Sequence, residues 1–309
     1  MNATVETSIP DDAAADPAAA DHAGGEVLVR ARGLAKRYRD VQALHPTDLD
    51  IAAGRIIGIV GPNGAGKTTL LDALLGLISY EGSVRVLGRE PLSERAALMH
   101  DVCFIADVAT LPRWMRVREL IDYVEGVHPR FSRARALELL ARTEIPLAKR
   151  IGQLSKGMIT QLHLAIVMAI DARLLVLDEP TLGLDILFRK NFYTALLEEY
   201  FDNRRTILVA THQIEEVEHI LTDVIFLRKG RIILHESLEI LEERFVQLVT
   251  DEERAAAAAA LGPIATRRAF GKVAMIFDAP DRARLEKMGS LRRVPLADLF
   301  VALMQGDAS

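Results

Sequence analysis

The stretch RIIGIVGPNGAGKTTLLDALLGL, residues 55–77, decides the fold. Its start is apolar after Arg55 and predicts a short buried strand. The residues that follow, Gly61-Pro62-Asn63-Gly64-Ala65-Gly66-Lys67-Thr68, fit the pattern G-x-x-x-x-G-K-[ST], and an amphipathic helix is predicted over 67–77. Glycines let the backbone wrap around a phosphate group with its N–H groups pointing inward, and the helix N-terminus adds positive charge. The stretch therefore predicts a phosphate-binding loop between a strand and a helix.

Two side chains of this loop are expected to carry chemistry. Lys67 should reach the β- and γ-phosphates of a nucleoside triphosphate, and the Thr68 hydroxyl should ligate Mg²⁺. The loop alone does not distinguish among GTPases, small-molecule kinases and the many kinds of ATPase.

A pair of acidic residues reduces the number of protein classes that fit the sequence. The apolar strand predicted over 174–177 ends in Asp178 and Glu179, at the sheet edge where α/β proteins bind ligands. Asp178 is placed to hold Mg²⁺, directly or through water, and Glu179 to polarise an attacking water. The sequence thus predicts hydrolysis of a bound nucleotide.

The composition of the chain limits which partners and which cellular roles are expected. The chain has 309 residues, a formal net charge of −5 and a pI near 5.9, so no general basic field favours nucleic acid. Cys103 is its single cysteine, which excludes an intrachain disulfide and is expected to be a small core residue. No apolar stretch reaches the ~18 residues of a membrane-spanning helix. A membrane role would therefore need another chain to span the bilayer.

The chain divides into predicted regions. Residues 1–25 are acidic and alanine-rich, which predicts a disordered tail. Strands and helices alternate through 26–244, which predicts a mostly parallel sheet with helices on both faces, and a helical insert is expected at about 91–170. A small accessory α+β domain is predicted over 245–309.

Leu154-Ser155-Lys156-Gly157-Met158 resembles the signature loop L-S-G-G-Q of ATP-binding cassette (ABC) proteins, and it precedes the acidic pair by about twenty residues, as in that family. The resemblance covers roughly 27–244 and is greatest to single-domain subunits of ABC-2-type exporters, which often carry a C-terminal extension. It implies an α/β, P-loop NTPase fold with an antiparallel β subdomain, a helical insert subdomain and a small C-terminal α+β domain.

The resemblance also assigns roles. Ser155 and Gly157 match residues that contact the γ-phosphate of ATP held by an opposite subunit, Asp185 matches the loop that communicates across the dimer, and His212 matches the switch histidine. Tyr38 matches the aromatic that stacks on adenine, although a half-buried strand tyrosine is the alternative. The expected catalytic residues are Lys67, Glu179 and His212. The expected nucleotide-binding residues are Tyr38, Gly61, Asn63, Gly64, Gly66, Lys67, Thr68, Thr69, Ser155, Gly157 and Asp185, and the expected metal ligands are Thr68, Asp178 and Asp107.

Some positions depart from the family pattern. Asp107 stands where a glutamine usually contacts Mg²⁺, which leaves its metal role open. Lys156 and Met158 replace a glycine and a glutamine of the signature loop, and Leu182 stands where serine is common. The core chemical groups all remain, so a competent site is expected.

The resemblance implies ATP and Mg²⁺, a homodimer or heterodimer of ATPase subunits and a separate transmembrane permease subunit. We therefore expect a cytoplasmic protein on the inner face of the membrane, serving export, with no nucleic-acid partner. Trp114 lies on the surface expected to grip the permease, unless it is buried within the insert. A soluble cassette ATPase acting on ribosomes or DNA is the alternative, disfavoured by net acidity and the single cassette. A non-cassette kinase or GTPase is disfavoured by the signature loop.

Overall fold

A computed structural model of the protein describes residues 26–106, 111–181, 186–202, 204–269 and 271–305. The strands are β1 (Val27–Tyr38), β2 (Val41–Ala52), β3 (Ile56–Val60), β4 (Glu81–Val86), β5 (Val102–Ile105), β6 (Leu174–Asp178), β7 (Thr206–Thr211), β8 (Asp223–Arg228), β9 (Arg231–Ser237), β10 (Phe245–Asp251), β11 (Ala265–Ala269), β12 (Lys272–Asp278) and β13 (Ser290–Arg292). The α-helices are α1 (Lys67–Leu74), α2 (Arg95–Leu98), α3 (Val117–Val127), α4 (Arg133–Ala141), α5 (Lys156–Met168), α6 (Ile186–Ala195), α7 (Ile214–Val217), α8 (Leu238–Arg244), α9 (Glu252–Ala259), α10 (Arg282–Glu286) and α11 (Leu296–Gln305). A π-helical turn, Leu196–Tyr200, continues α6, and a 3-10 turn, Glu218–Ile220, continues α7.

The central sheet has the strand order β5-β6-β7-β3-β8-β9 and is parallel except for the β8–β9 pair. Side chains alternate between its two faces, as in any strand. On β6, Leu174 and Val176 join the core that contains α1, whereas Leu175 and Leu177 join the core that contains α5 and α6. Burial on both faces explains why these strands are apolar throughout. The predicted parallel sheet with helices on both faces is confirmed.

An antiparallel sheet of order β2-β1-β4 covers the α1 side of the central sheet and shares its core. Strand β5 falls within the range 91–170 yet belongs to the central sheet, next to β6. Helices α3, α4 and α5 follow β5, and α4 packs against α5. The boundaries of a helical insert remain a prediction.

The last part of the chain forms an antiparallel sheet of order β11-β12-β10-β13 with a small core of its own. Strands β11 and β12 pair antiparallel on either side of Gly271. Helix α11 instead returns to the central sheet, where the Phe300 ring packs edge-on against Phe226 with centroids 5.0 Å apart. The Leu296 N–H donates to Glu218 Oε1 at 3.1 Å, which ties the start of α11 to the turn after α7.

Element ends differ from the predicted ones where local geometry intervenes. The helix predicted over 67–77 ends at Leu74, because Gly76 adopts a φ of +65° and its N–H turns back to Ala73. In the described part of the chain, no helix combines the length and apolarity needed to cross a membrane.

Candidate functional site

The phosphate loop runs from the end of β3 to the start of α1 and requires its glycines. Gly66 has a φ of +106°, and a Cβ there would lie 2.7 Å from the carbonyl oxygen of Ala43. A Cβ on Gly61 would lie 2.4 Å from the Leu227 carbonyl oxygen. The neighbouring backbone therefore leaves no room for a side chain at Gly61 or Gly66. Glycine at these positions lets the loop backbone curve around a phosphate group.

Lys67 and Thr68 begin α1 and reach toward the end of β6. The Lys67 Nζ donates to the Gly61 carbonyl oxygen at 2.9 Å and lies 3.4 Å from Glu179 Oε1, and its side chain is only 7% exposed. Thr68 Oγ1 donates to Asp178 Oδ2 at 2.7 Å. The loop and the acidic pair, separated by more than a hundred residues in sequence, thus form one site.

Glu179 and His212 meet because β6 and β7 are adjacent parallel strands that end at the same sheet edge. His212 Nδ1 lies 2.9 Å from Glu179 Oε1, and Thr211 Oγ1 donates to Glu179 Oε2 at 3.3 Å. Glu179 has a φ of +48°, a strained conformation for a residue with a side chain. Contacts with Lys67, Thr211 and His212 hold its carboxylate in place.

The donor set fits magnesium. Among the described residues there is no cluster of three or more His, Cys, Asp or Glu side chains that could enclose a metal ion. The protein offers an oxygen pair, the Thr68 hydroxyl and the buried Asp178 carboxylate. Mg²⁺ prefers oxygen ligands and is commonly held by one or two protein groups, with substrate phosphates and water completing its shell. Asp107, the third expected ligand, lies outside the described residues.

The signature residues lie at the start of α5, apart from this constellation. Ser155 is the exposed N-cap of α5, and its Oγ accepts a hydrogen bond from the Met158 N–H at 3.2 Å. Gly157 is half-buried in the first turn. The N-terminus of α5 therefore presents its positive dipole end outward. Asp185 lies outside the described residues.

The remaining predicted nucleotide contacts lie on β1, in the phosphate loop and on α1. Tyr38 ends β1 and is 44% exposed, with Lys36 Nζ 4.8 Å from its ring centroid. Asn63 and Gly64 are exposed at the tip of the loop, and Thr69 is half-buried in α1. A partly exposed aromatic ring of this kind can stack on a base.

Two predictions made away from the site are resolved by burial. Trp114 is 72% exposed, so its burial within the insert is excluded. Cys103 is buried in the core as expected, and burial raises the pKa of its thiol to about 12.

A group of residues that sequence reasoning missed surrounds Glu179 and His212. It comprises Thr181, Arg189, Tyr193, Gln213 and Glu216, which are joined by hydrogen bonds. Burial raises the pKa of the Tyr193 hydroxyl, which therefore stays protonated. The sequence did not mark Arg189 and Glu216, because charged side chains on helices usually face solvent.

Residues 44–182 match the family model described as ABC transporter. The taurine import ATP-binding protein TauB of Yersinia pestis bv. Antiqua is 32% identical over 208 residues, covering 66% of this chain and 80% of TauB. This chain belongs to the ATP-binding subunits of ABC transporters. Its enzymatic activity is the hydrolysis of ATP, and subunits of this family work with transmembrane permease components.

Other members of the family extend the comparison. The daunorubicin resistance ATP-binding protein DrrA3 of Streptomyces coeruleorubidus is 29% identical over 279 residues, covering 87% of this chain and 88% of DrrA3. A solved ATP-binding subunit of an ABC transporter matches with a TM-score of 0.62 at 23% identity, over 70% of this chain and 92% of its own. The cbiO1 protein of Clostridium perfringens, described as part of the ABC transporter complex cbiONQ, matches with a TM-score of 0.59 at 25% identity, over 68% and 88% of the two chains. The predicted fold class is thereby confirmed.

Proposed function

We propose that this ABC subunit binds Mg-ATP between two ATPase subunits and hydrolyses it to drive a separate transmembrane subunit. One observation carries the proposal. Lys67, Asp178, Glu179 and His212 form a single connected site, whereas the N-terminus of α5 faces outward. The chain thus carries two half-sites, and a second subunit placed head to tail would complete both.

The proposed division of labour follows from the donor atoms. The backbone of the phosphate loop and the Lys67 ammonium hold the phosphates, and Tyr38 stacks on the base. Thr68 and Asp178 would hold Mg²⁺, which would neutralise charge on the phosphate oxygens. Glu179 orients the attacking water, and His212 fixes the Glu179 carboxylate while facing the γ-phosphate.

ATP then acts as the bridge between subunits. The signature half-site supplied by Ser155 and Gly157 places a helix N-terminus against the γ-phosphate, which is an anion. Loss of that phosphate on hydrolysis weakens the dimer, so the two nucleotide states have different dimer affinities. A membrane subunit bound to both copies would be moved by this cycle. We place the protein at the inner membrane face through that partner, with the exposed Trp114 on the docking side.

Export is the proposed direction. The match to DrrA3 extends over 279 residues and includes most of the chain, whereas the match to the import subunit TauB covers 208 residues. The longer match supports a shared organisation with a protein named for drug resistance. Transport of a labelled cargo into or out of inverted vesicles that contain the permease tests the direction.

The site assignment is tested by two substitutions. Lys67→Ala should weaken ATP binding about tenfold or more, because a charge-assisted contact to phosphate is lost. Glu179→Gln should retain binding and lower kcat about a hundredfold or more. Steady-state turnover and calorimetric ATP titration measure both quantities, with Glu253→Gln on the exposed start of α9 as the matched control. Wild-type turnover in Glu179→Gln would refute the role of this carboxylate.

A further inference from the structure

The loop that follows His212 is joined to α6 by an ion pair that the proposed catalytic scheme does not use. Arg189 on α6 forms an ion pair with Glu216 on α7. The same guanidinium nitrogen donates to Gln213 Oε1 at 2.6 Å. Gln213 is the neighbour of His212, and its Nε2 lies 3.4 Å from His212 Nε2. Arg189 therefore contacts the segment that carries the switch histidine at two points.

The same ion pair reaches the segment that carries the water-orienting carboxylate. Thr181, two residues after Glu179, donates from Oγ1 to Glu216 Oε2 at 3.2 Å. The Tyr193 hydroxyl, also on α6, lies 3.2 Å from Thr181 Oγ1. Thr181 is 4% exposed and Tyr193 is 1% exposed, so these contacts lie in a region of low dielectric, where hydrogen bonds are strong. Glu216 thus links the segment that follows His212, on which it lies, to the segment that follows Glu179.

We propose that Arg189 and Glu216 are positioning residues that hold the Glu179 carboxylate and the His212 imidazole in catalytic register. The proposal rests on the function proposed above. Glu179 needs such support because its backbone is strained at a φ of +48° and its carboxylate meets His212 at only one oxygen. A catalytic group displaced by about 1 Å can lose a hundredfold in rate.

Substitutions of equal bulk test the proposal. Arg189→Met and Glu216→Met should each lower kcat for ATP about tenfold to a hundredfold, whereas Kd for ATP should stay within about twofold, since the phosphate loop is untouched. The double substitution should cost little more than either single one, because both break the same link. Arg189→Lys should recover most of the rate, since an ammonium can donate to both Gln213 and Glu216.

The control is Arg244→Met, which removes an ion pair with contacts of 2.7 Å to Asp278, on the C-terminal side of the molecule. Its kcat should match that of the wild type. A kcat in Arg189→Met within about twofold of this control would overturn the proposal. The proposal would also be overturned if Arg189→Met lowered kcat, ATP affinity and melting temperature together, since that pattern indicates general destabilisation.

Nitrogen NMR of the histidine rings gives a readout that does not depend on turnover. The Nδ1 signal of His212, assigned by its loss in His212→Gln, should shift in Arg189→Met as its contact with Glu179 loosens, and should not shift in Arg244→Met. An unchanged His212 signal in Arg189→Met would overturn the proposal even if the protein showed no ATPase activity. Wild-type turnover in Glu179→Gln would instead refute the catalytic assignment and leave the NMR comparison valid.

Discussion

Gly66 shows how a single residue connects fold and function. Its φ of +106° bends the backbone into the phosphate loop, and the space where a Cβ would stand is limited by the Ala43 carbonyl oxygen of β2. Strain from a side chain at such a position costs on the order of 1–3 kcal/mol. The residue is therefore glycine for two reasons, conformation and lack of room.

We expect Gly66→Ala to lower the free energy of unfolding by about 1–3 kcal/mol and to abolish measurable ATP binding. Gly126 offers the opposite case, because it lies within α3 and no atom lies within 4 Å of the position that a Cβ would occupy. Gly126→Ala should raise the free energy of unfolding by about 0.5–1 kcal/mol and leave ATP binding intact. Urea unfolding and calorimetric titration measure both effects. Equal stability of the two variants would show that the loop is not constrained as described.

At the scale of elements, α11 contributes to two parts of the molecule. It follows the C-terminal sheet in sequence, yet Leu296, Leu299 and Ala302 are buried in the core beneath α7 and β8. The Arg228 side chain also donates to the carbonyl oxygen of Met304 at 2.8 Å. Helix α11 therefore connects the C-terminal sheet to the main core, where it packs near α7, the helix that follows His212.

Leu299→Ala should lower the free energy of unfolding by about 2–5 kcal/mol, since it empties a buried position in the main core. Val301, on the same helix, is 49% exposed, and Val301→Ala should change stability by no more than about 0.5 kcal/mol. Denaturant unfolding of the full chain measures the pair. If Leu299→Ala were as mild as Val301→Ala, α11 would not be part of the core.

At the scale of the whole molecule, we propose that residues 245–309 form an accessory domain attached to the ATPase core through α11. One face of its sheet has a core of its own, which supports the division, while α11 packs against α7. Two copies of the chain would bring two such domains into the assembly.

The fold can be predicted from the sequence where a single motif requires a particular local structure. The glycine pattern at 61–66 predicts a strand before it and a helix after it, and the acidic pair at 178–179 predicts a strand before it; both strands, β3 and β6, pair in parallel with β7. Contacts between side chains on different helices could not be predicted, because nothing in the sequence near Arg189 or Glu216 indicates that they form an ion pair. The return of α11 was also unpredictable, because the apolar face of a helix does not by itself specify which apolar surface it packs against.

The most direct test of the account is the molar mass of Glu179→Gln with and without nucleotide. Light scattering at saturating Mg-ATP should give twice the 34.1 kDa of one chain, whereas Mg-ADP should give the mass of one chain. Adding Gly157→Asp should abolish the doubling, since a carboxylate at the start of α5 repels the γ-phosphate. A mass of one chain in Mg-ATP, at concentrations where ATP is shown to be bound, would contradict the shared site.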